Sequence, residues 1–238
     1  MRIAMWSGPR NLSTAMMYSF AARGDCAVWD EPFYAAYLAA TEAEHPMRDR
    51  IIAANEVAPE QIALSCLGPI PQAQSLFYQK HMTLHMVPQF DRSFIQGLTN
   101  VFLIRHPAHV VASYVKKREG PNLADIGFLQ QAELFDLVAD QTGRAPLVVD
   151  SSTVRSDPKQ ALSRLCAGLG IGFTEKMLRW PAGPKPYDGI WAPHWYNAVH
   201  ASTGFGDPEG PIPDLPANYQ RLVDQALPFY ERLAAHSA

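Results

Sequence analysis

Cysteine is scarce in this chain, and the spacings typical of metal ligands are absent. Among 238 residues there are three cysteines, Cys26, Cys66 and Cys166, with no CxxC pair, and the eight histidines form no HExxH pattern. Protein zinc sites depend on such spacings. We therefore expect buried free thiols in a reducing, cytoplasmic compartment, and no bound metal.

Long apolar runs and an excess of positive charge are also missing. No uninterrupted apolar stretch is long enough to cross a bilayer, and only the four apolar residues Ile3–Trp6 precede Ser7, which predicts neither a membrane span nor a signal peptide. The formal net charge is -3, whereas a general nucleic-acid binder carries a basic face. We expect no nucleic-acid partner and no membrane partner, and the pattern leaves the oligomeric state open.

Short apolar runs alternate with helical patterns along most of the chain. Strands are predicted at Ile3–Trp6, Ala27–Trp29, Leu76–Lys80, Val101–Ile104 and Pro146–Asp150. Helices are predicted at Ser13–Arg23, Pro107–Arg118, Leu129–Gln141 and Lys159–Leu169. This alternation predicts an α/β fold with a central parallel sheet of about five strands, covered on both faces.

The composition changes near residue 180. Residues 180–218 are crowded with proline, glycine and tryptophan, and this content is too aromatic for a simple disordered linker. We expect an ordered segment that covers an α/β core formed by residues 1–179. A closing helix is predicted at Tyr219–Ala235, within residues 219–238, in spite of Pro228. The predicted organisation is a single domain over residues 1–238.

The stretch between the first predicted strand and the first predicted helix is the most informative one. It consists of Ser7, Gly8, Pro9, Arg10, Asn11, Leu12, Ser13 and Thr14. A tight loop that opens a helix gathers backbone N–H groups and the positive end of the helix dipole around one point, and that point attracts phosphate or sulfate. The GxxxxGK[ST] pattern is absent, because Leu12 stands at its second glycine and Arg10 replaces its lysine. The alternative is a plain strand–turn–helix connection.

A second anion motif follows the predicted strand Val101–Ile104. The strand delivers Arg105 to its carboxyl end, and Pro107 suits the first turn of the next helix. Ser113 lies eight residues beyond Arg105, about two helical turns on. An arginine can bind phosphate through two parallel hydrogen bonds, and a serine hydroxyl adds a third. The alternative is an arginine that forms a salt bridge at a strand end.

Together the two motifs resemble those of the sulfotransferase family, over roughly residues 2–172. The first loop is similar to the family's P-[KR]-S-G-[ST]-T loop, with Asn11 for serine and Leu12 for glycine. Because asparagine adopts left-handed backbone conformations readily, we expect Asn11 to help the loop adopt its shape. The resemblance implies a three-layer P-loop NTPase-like fold. It implies that the first loop binds the 5′-phosphosulfate of 3′-phosphoadenosine 5′-phosphosulfate (PAPS), the co-substrate, and that Arg105 and Ser113 bind its 3′-phosphate.

The resemblance also suggests the catalytic groups, because sulfuryl transfer to an alcohol needs a base. It implies Glu31, which follows the second predicted strand, as that base; the alternative is a carboxylate that caps a turn. Lys80-His81 is similar to the family's K-x-H element without its middle residue. Lys80 would supply charge at the bridging oxygen, and His81 is the second candidate base or else a hydrogen-bonded structural histidine. Arg10 would stabilise the transferring sulfuryl group.

The predicted reaction moves a sulfuryl group from PAPS to a hydroxyl or amine of a small-molecule acceptor. Two alternatives stay open: an ATP-dependent small-molecule kinase, and a non-catalytic nucleotide-binding module of the same fold. Four residues of the covering segment would close over the nucleotide, line the acceptor pocket or anchor the segment in the core. They are Lys185, Trp191, His194 and Trp195.

Overall fold

A parallel sheet forms the centre of the computed structural model, which describes residues 1–118 and 120–237. Its strands are β1 (Arg2–Ser7), β2 (Cys26–Asp30), β3 (Leu76–Met82), β4 (Thr99–Ile104) and β5 (Leu147–Asp150). They lie in the order β2-β3-β1-β4-β5, and each neighbouring pair is parallel. The prediction of a parallel sheet of about five strands is confirmed.

Helices connect the strands. They are α1 (Ser13–Ala21), α2 (Tyr34–Ala40), α3 (Arg48–Ala54), α4 (Pro59–Leu67), α5 (Pro107–Tyr114), α6 (Leu123–Ile126), α7 (Phe128–Thr142), α8 (Ser151–Ser156), α9 (Pro158–Leu169), α10 (Ala192–Trp195), α11 (Asn197–His200) and α12 (Ala217–Ala234). Short 3₁₀ turns occur at Pro71–Ala73, Thr83–His85, Ser93–Gly97 and Glu175–Leu178.

The structure differs from the helix predictions at several places, among them the end of α1 at Ala21 instead of Arg23 and the helices α2, α6, α8, α10 and α11, which the sequence did not predict. Helix α5 ends at Tyr114 and not at Arg118, because the chain tightens there into a turn in which the Lys117 N–H donates to the Tyr114 carbonyl oxygen at 2.9 Å. Helices α3 and α4 were not predicted either. Helix α3 buries only Ile51, and α4 buries only Ile62 and Cys66, so neither shows a clear apolar stripe.

Alternate residues of β1 pack into cores on opposite faces of the sheet. Ile3 and Met5 join one core, which α1 and α9 complete with Met16, Phe20, Leu162 and Leu165. Ala4 and Trp6 join the other core, which α7 completes with Leu134 and Phe135. Because both faces of the sheet are covered, the fold has three layers, as the resemblance to sulfotransferases implied.

The aromatic residues of the covering segment anchor it to the α/β core. Trp180, Trp191 and Phe205 are all buried, with at most 5% of their surface exposed. Helix α12 then crosses α5 and α7, with Pro228 inside it as predicted. The three cysteines are free and buried. Within the described residues, no helix combines the length and the apolar character that a bilayer crossing requires.

The parallel strands bring their carboxyl ends to one edge of the sheet. Ligands of open α/β sheets bind outside this edge. Asp30 at the end of β2 pairs in register with Lys80 of β3. Ser7 ends β1, and Arg105 directly follows β4. The sheet therefore gathers residues from predicted motifs that are up to a hundred positions apart along the chain.

Gly8 allows the first loop to lie against the chain that enters α7. A Cβ atom at this position would lie 2.7 Å from the carbonyl oxygen of Ile126, a backbone atom that cannot move aside freely. We expect Gly8→Ala to lower the free energy of unfolding by about 1–3 kcal/mol, the usual cost of an overpacked site. Urea denaturation measures this change. Gly172→Ala is the control, since nothing lies within 4 Å of its added methyl group. Equal stability of the two variants would contradict the close approach at Gly8.

Candidate active site

The first loop wraps around the N-terminus of α1. Leu12 is the N-cap residue, no side chain caps the helix, and its first turn contains no acidic residue. The N–H groups of a first helical turn have no partner inside the helix. Ser13, Thr14 and Ala15 of this turn line a cavity. The helix therefore directs free N–H groups and its positive dipole end toward the cavity, an arrangement that binds anions.

Two residues other than Asn11 give the loop its shape. The backbone is left-handed at Arg10 and Leu12, with φ values of 63° and 70°, and not at Asn11, so the expected conformational role of Asn11 is wrong. Asn11 is instead buried, and its Nδ2 donates to the Leu103 carbonyl oxygen at 3.2 Å. Leu12 takes the conformation that glycine would adopt freely, and its side chain packs against the core around α1.

The two predicted anion motifs contact each other directly. Arg10 Nε donates to Ser113 Oγ at 2.9 Å, and Arg105 Nη1 donates to the Arg10 carbonyl oxygen at 2.6 Å. Burial, together with the charge of Arg105, lowers the pKa of Arg10. Burial likewise lowers the pKa of Arg105. Two partly buried guanidinium groups this close favour a bound anion between or beside them.

Three further residues, which the sequence analysis missed, join this region: the basic side chains Arg155 and His109 and the carboxylate Glu209. Glu209 Oε1 lies 2.6 Å from Arg105 Nε and 3.5 Å from Arg155 Nη1, and Glu209 Oε2 lies 3.6 Å from His109 Nε2. Arg155 belongs to α8, directly after β5. Its place after a strand end was the signal that could have pointed to it. Glu209 belongs to the covering segment and had no such signal.

A buried charge cluster lies at the ends of β2 and β3. Lys80 Nζ donates to Asp30 Oδ1 at 2.9 Å, to Glu31 Oε1 at 2.5 Å and to the Tyr196 hydroxyl at 2.7 Å. These three bonds use all the hydrogens of the ammonium group. The side chains of Lys80 and Asp30 are at most 1% exposed, whereas that of Glu31 is 11% exposed and lines the cavity.

The charged groups of this cluster shift one another's pKa values. Burial alone would lower the pKa of Lys80, but the carboxylates of Asp30 and Glu31 outweigh it and raise that pKa, so Lys80 stays charged. Burial raises the pKa of Glu31, and the negative charge of Asp30 adds to this effect against the opposing charge of Lys80. A raised pKa makes the Glu31 carboxylate a stronger base.

Tyr196 connects the covering segment to this cluster. Its hydroxyl donates to Asp30 Oδ2 at 2.7 Å and accepts from Trp191 Nε1 at 3.1 Å. The Gly189 N–H also donates to Asp30 Oδ2, at 3.0 Å. Asp30 is thus occupied in holding the cluster together, and Glu31 is the carboxylate that faces the cavity. Tyr196 was not among the predicted residues, because nothing in its local sequence ties it to β2.

His81 lies away from the other predicted residues. Neighbouring strand residues face opposite sides of the sheet, so Lys80 faces the cavity and His81 does not. Its ring stacks on Trp6 with ring centroids 4.4 Å apart, and its Nε2 lies 3.1 Å from Gln79 Oε1. Burial lowers the pKa of His81 to about 3. Ser7 is likewise fully buried, and its hydroxyl donates to the Met82 sulfur.

One cavity of about 490 Å³ collects most of the other predicted residues, whereas Gly8, Lys185, Trp191 and His194 are not among those that line it. Its lining includes Pro9, Arg10, Asn11, Leu12, Ser13, Thr14, Glu31, Lys80, Arg105 and Ser113. An aromatic wall, formed by Tyr34, Tyr37, Tyr114 and Trp195, completes it beside Glu31. Within residues 1–118 and 120–237, no cluster of three His, Cys, Asp or Glu side chains could hold a metal ion.

Comparison with known proteins identifies the family to which the chain belongs. A family model described as "Sulfotransferase domain" matches residues 1–237. The chain belongs to this sulfotransferase family. It is similar to branched-chain-amino-acid aminotransferase-like proteins 1 and 2 of Arabidopsis thaliana, with 36% and 34% identity over 236 residues. These matches cover 98% of the chain but only 42% and 41% of the two plant proteins, so the chain spans about two fifths of their length.

A solved structure agrees with this assignment at the level of the fold. The sulfotransferase domain from the curacin biosynthetic pathway has a TM-score of 0.51 to this chain at 16% identity, and the match covers 94% of this chain and 96% of that one. The suspected resemblance to sulfotransferases is therefore confirmed. Family membership supports a transferase enzyme with sulfotransferase activity.

Tyr196 offers a test of the buried cluster in this sulfotransferase. Tyr196→Phe removes a hydroxyl that bonds to Lys80, Asp30 and Trp191 in a fully buried place. We expect the free energy of unfolding to fall by about 1–3 kcal/mol, because buried polar partners are left unsatisfied. Chemical denaturation measures the loss. Tyr219→Phe on α12 is the matched control, because within the described chain its hydroxyl makes no hydrogen bond. A loss no larger than that of the control would show that the cluster does not depend on Tyr196.

Proposed function

We propose that this sulfotransferase transfers a sulfuryl group from PAPS to a hydroxyl or amine of a small-molecule acceptor. One observation carries the proposal: the same cavity is lined by the anion-binding loop with Arg10 and Arg105 on one side and by the Glu31–Lys80 pair on the other. The first side fits a donor with two anionic ends, and the second fits the removal of a proton. A cytoplasmic location is part of this proposal.

The first loop and Arg105 would bind the two anionic ends of the donor. The free N–H groups at the start of α1, with Arg10, would hold the 5′-phosphosulfate. Arg105 and Ser113 would hold the 3′-phosphate, as the family resemblance implies. Ser113 Oγ accepts a hydrogen bond from Arg10, so the hydroxyl proton of Ser113 remains available for a phosphate oxygen.

Glu31 would act as the base. As the acceptor oxygen or nitrogen forms a bond to sulfur, the bond between sulfur and the bridging phosphate oxygen breaks, and adenosine 3′,5′-bisphosphate leaves with that electron pair. Glu31 takes the acceptor proton, and Arg10 with the loop N–H groups stabilises charge on the sulfuryl and phosphate oxygens. Lys80 has no free hydrogen for the bridging oxygen, so we assign it to the orientation of Glu31. His81, which faces away from the cavity, takes no part.

The two alternatives fit the cavity less well. A kinase loop would carry the lysine and the second glycine of the Walker pattern, and this loop has Arg10 and Leu12 there. A binding module without catalysis has no need of a buried carboxylate with a raised pKa at the cavity surface.

Binding of nucleotides tests the donor. Adenosine 3′,5′-bisphosphate should raise the melting temperature without magnesium, and Arg105→Ala should weaken its binding by about 1.5–3 kcal/mol, the range of a charged hydrogen bond. Adenosine 5′-monophosphate is the matched control ligand, and Arg105→Ala should change its affinity less. Stabilisation by ATP only in the presence of magnesium would favour the kinase and contradict the proposal.

Replacement of Glu31 tests the base. Glu31→Gln should lower the rate of transfer by about 10²–10⁴-fold and leave nucleotide affinity unchanged, because the amide cannot accept the proton. The rate of the native protein should fall as the pH drops through the raised pKa of Glu31, above the usual range of glutamate, and the variant should lack this fall. Labelled PAPS with a panel of phenols, alcohols and amines provides the assay.

Glu175→Gln, which alters only an exposed pair with Lys159, is the control for this experiment. A Glu31→Gln variant that transfers sulfate at the native rate would remove Glu31 from the mechanism. Transfer to none of the acceptors by the native protein, in spite of donor binding, would favour the non-catalytic module.

A further inference from the structure

The carboxylate of Glu209 lies inside the positive region that includes Arg105. Its side chain is only 6% exposed, and nitrogen atoms of Arg105, Arg155 and His109 lie 2.6, 3.5 and 3.6 Å from its carboxylate oxygens. Arg105 and Arg155 also line the cavity, together with Gly204, Phe205 and Gly206 from the segment that carries Glu209. A carboxylate from the covering segment thus sits where the family resemblance places a phosphate.

The Glu209 carboxylate leaves some hydrogen-bonding groups of this region without a partner. Glu209 Oε2 and Arg155 Nε are buried and have no hydrogen-bond partner within the described chain. Two guanidinium groups and one imidazole face a single negative charge. A phosphate monoester carries a charge of about −1.5 to −2 and three strong acceptor oxygens. Phosphate therefore matches the charge and the unused donor of this site better than the carboxylate does.

The segment around Glu209 is attached weakly. Residues 201–216 contain no helix or strand, and residues 204–215 make no backbone–backbone hydrogen bond within the described part of the chain. Phe205 is buried, but most residues from 207 to 212 are exposed. Such a segment opens at low cost, since few buried contacts and backbone hydrogen bonds are lost. Phe205 and Leu215 pack on hydrophobic cores, and between them the side-chain hydrogen bonds and ion pairs within the described chain are those of Glu209.

We propose that Glu209 and the 3′-phosphate of the donor nucleotide compete for Arg105, Arg155 and His109. The proposal rests on the proposed function and adds to it: Arg155 and His109 become ligands of the 3′-phosphate, and residues 206–214, between Phe205 and Leu215 that pack on the core, form a flap that the nucleotide releases. The flap closes again when its carboxylate replaces the phosphate of the product. Because the nucleotide binds only when the flap is open, its apparent affinity equals the intrinsic affinity multiplied by the fraction of molecules with an open flap. The lower affinity favours release of adenosine 3′,5′-bisphosphate.

Calorimetric titration of variants tests the competition. Glu209→Gln keeps the shape of the side chain and removes its charge. We expect it to bind adenosine 3′,5′-bisphosphate on the order of tenfold more tightly than the native protein, and adenosine 5′-monophosphate with unchanged affinity. Arg155→Gln should weaken binding of the bisphosphate on the order of tenfold and leave the monophosphate unaffected. Glu175→Gln, remote from the cavity, should match the native protein with both ligands.

A second variant keeps the test valid if Glu209→Gln folds poorly. Glu209→Asp retains the charge but withdraws it by one methylene group, and it should give a smaller gain in affinity for the bisphosphate. Unchanged or weaker binding of the bisphosphate by both Glu209 variants would overturn the proposal. Weaker binding would show that Glu209 helps to hold the nucleotide.

The outcome for the native protein separates this inference from the proposed function. If the native protein binds no bisphosphate, the proposed function fails, and inorganic phosphate serves as the probe instead. Phosphate should then raise the melting temperature of Glu209→Gln more than that of the native protein. Equal shifts would overturn the competition as well.

Discussion

The buried ammonium group of Lys80 is the interaction on which the rest of the site depends. A buried charge without partners costs several kcal/mol, so Lys80 can occupy this place only with Asp30, Glu31 and Tyr196 around it. These partners come from β2, from the turn that follows it, and from the covering segment. One charge therefore joins the sheet to the covering segment and leaves Glu31, and not Asp30, as the carboxylate of this cluster that lines the cavity.

The opposite side of the cavity is organised by positive charge. Arg10, Arg105 and Arg155 follow three different strands of the sheet. Arg105 is connected to Arg10 by a hydrogen bond to its carbonyl oxygen and to Arg155 by the ion pairs of Glu209. Each guanidinium group is partly removed from water, which makes an anionic partner more favourable. Under the proposed function the two walls have complementary tasks, to hold an anionic donor and to accept a proton, within one cavity of about 490 Å³.

Much of the fold was predictable, because its signals are local. Short apolar runs between turn formers marked all the strands, and α1, α5, α7, α9 and α12 followed from periodic apolar residues. Helices α3 and α4 bury too few residues to leave such a pattern. At the site, the P-R-x-x-[ST]-T loop and the Arg105–Ser113 spacing predicted two halves of an anion site, whereas Arg155, Tyr196 and Glu209 belong to no motif.

The sequence by itself determined the parallel α/β architecture, the strand–loop–helix unit that contains the first loop, and the family. These depend on periodicity and on spacing within a few residues. Tertiary structure alone decided that Glu31 and not His81 faces the cavity, since the turn after β2 brings Glu31 to the cavity, whereas the His81 side chain stacks on Trp6 in the core. It also decided that Leu12 takes a left-handed backbone conformation, because core packing around α1 holds it there. Contacts between distant segments, such as Glu209 with Arg105, form only after the sheet has brought the strand ends together.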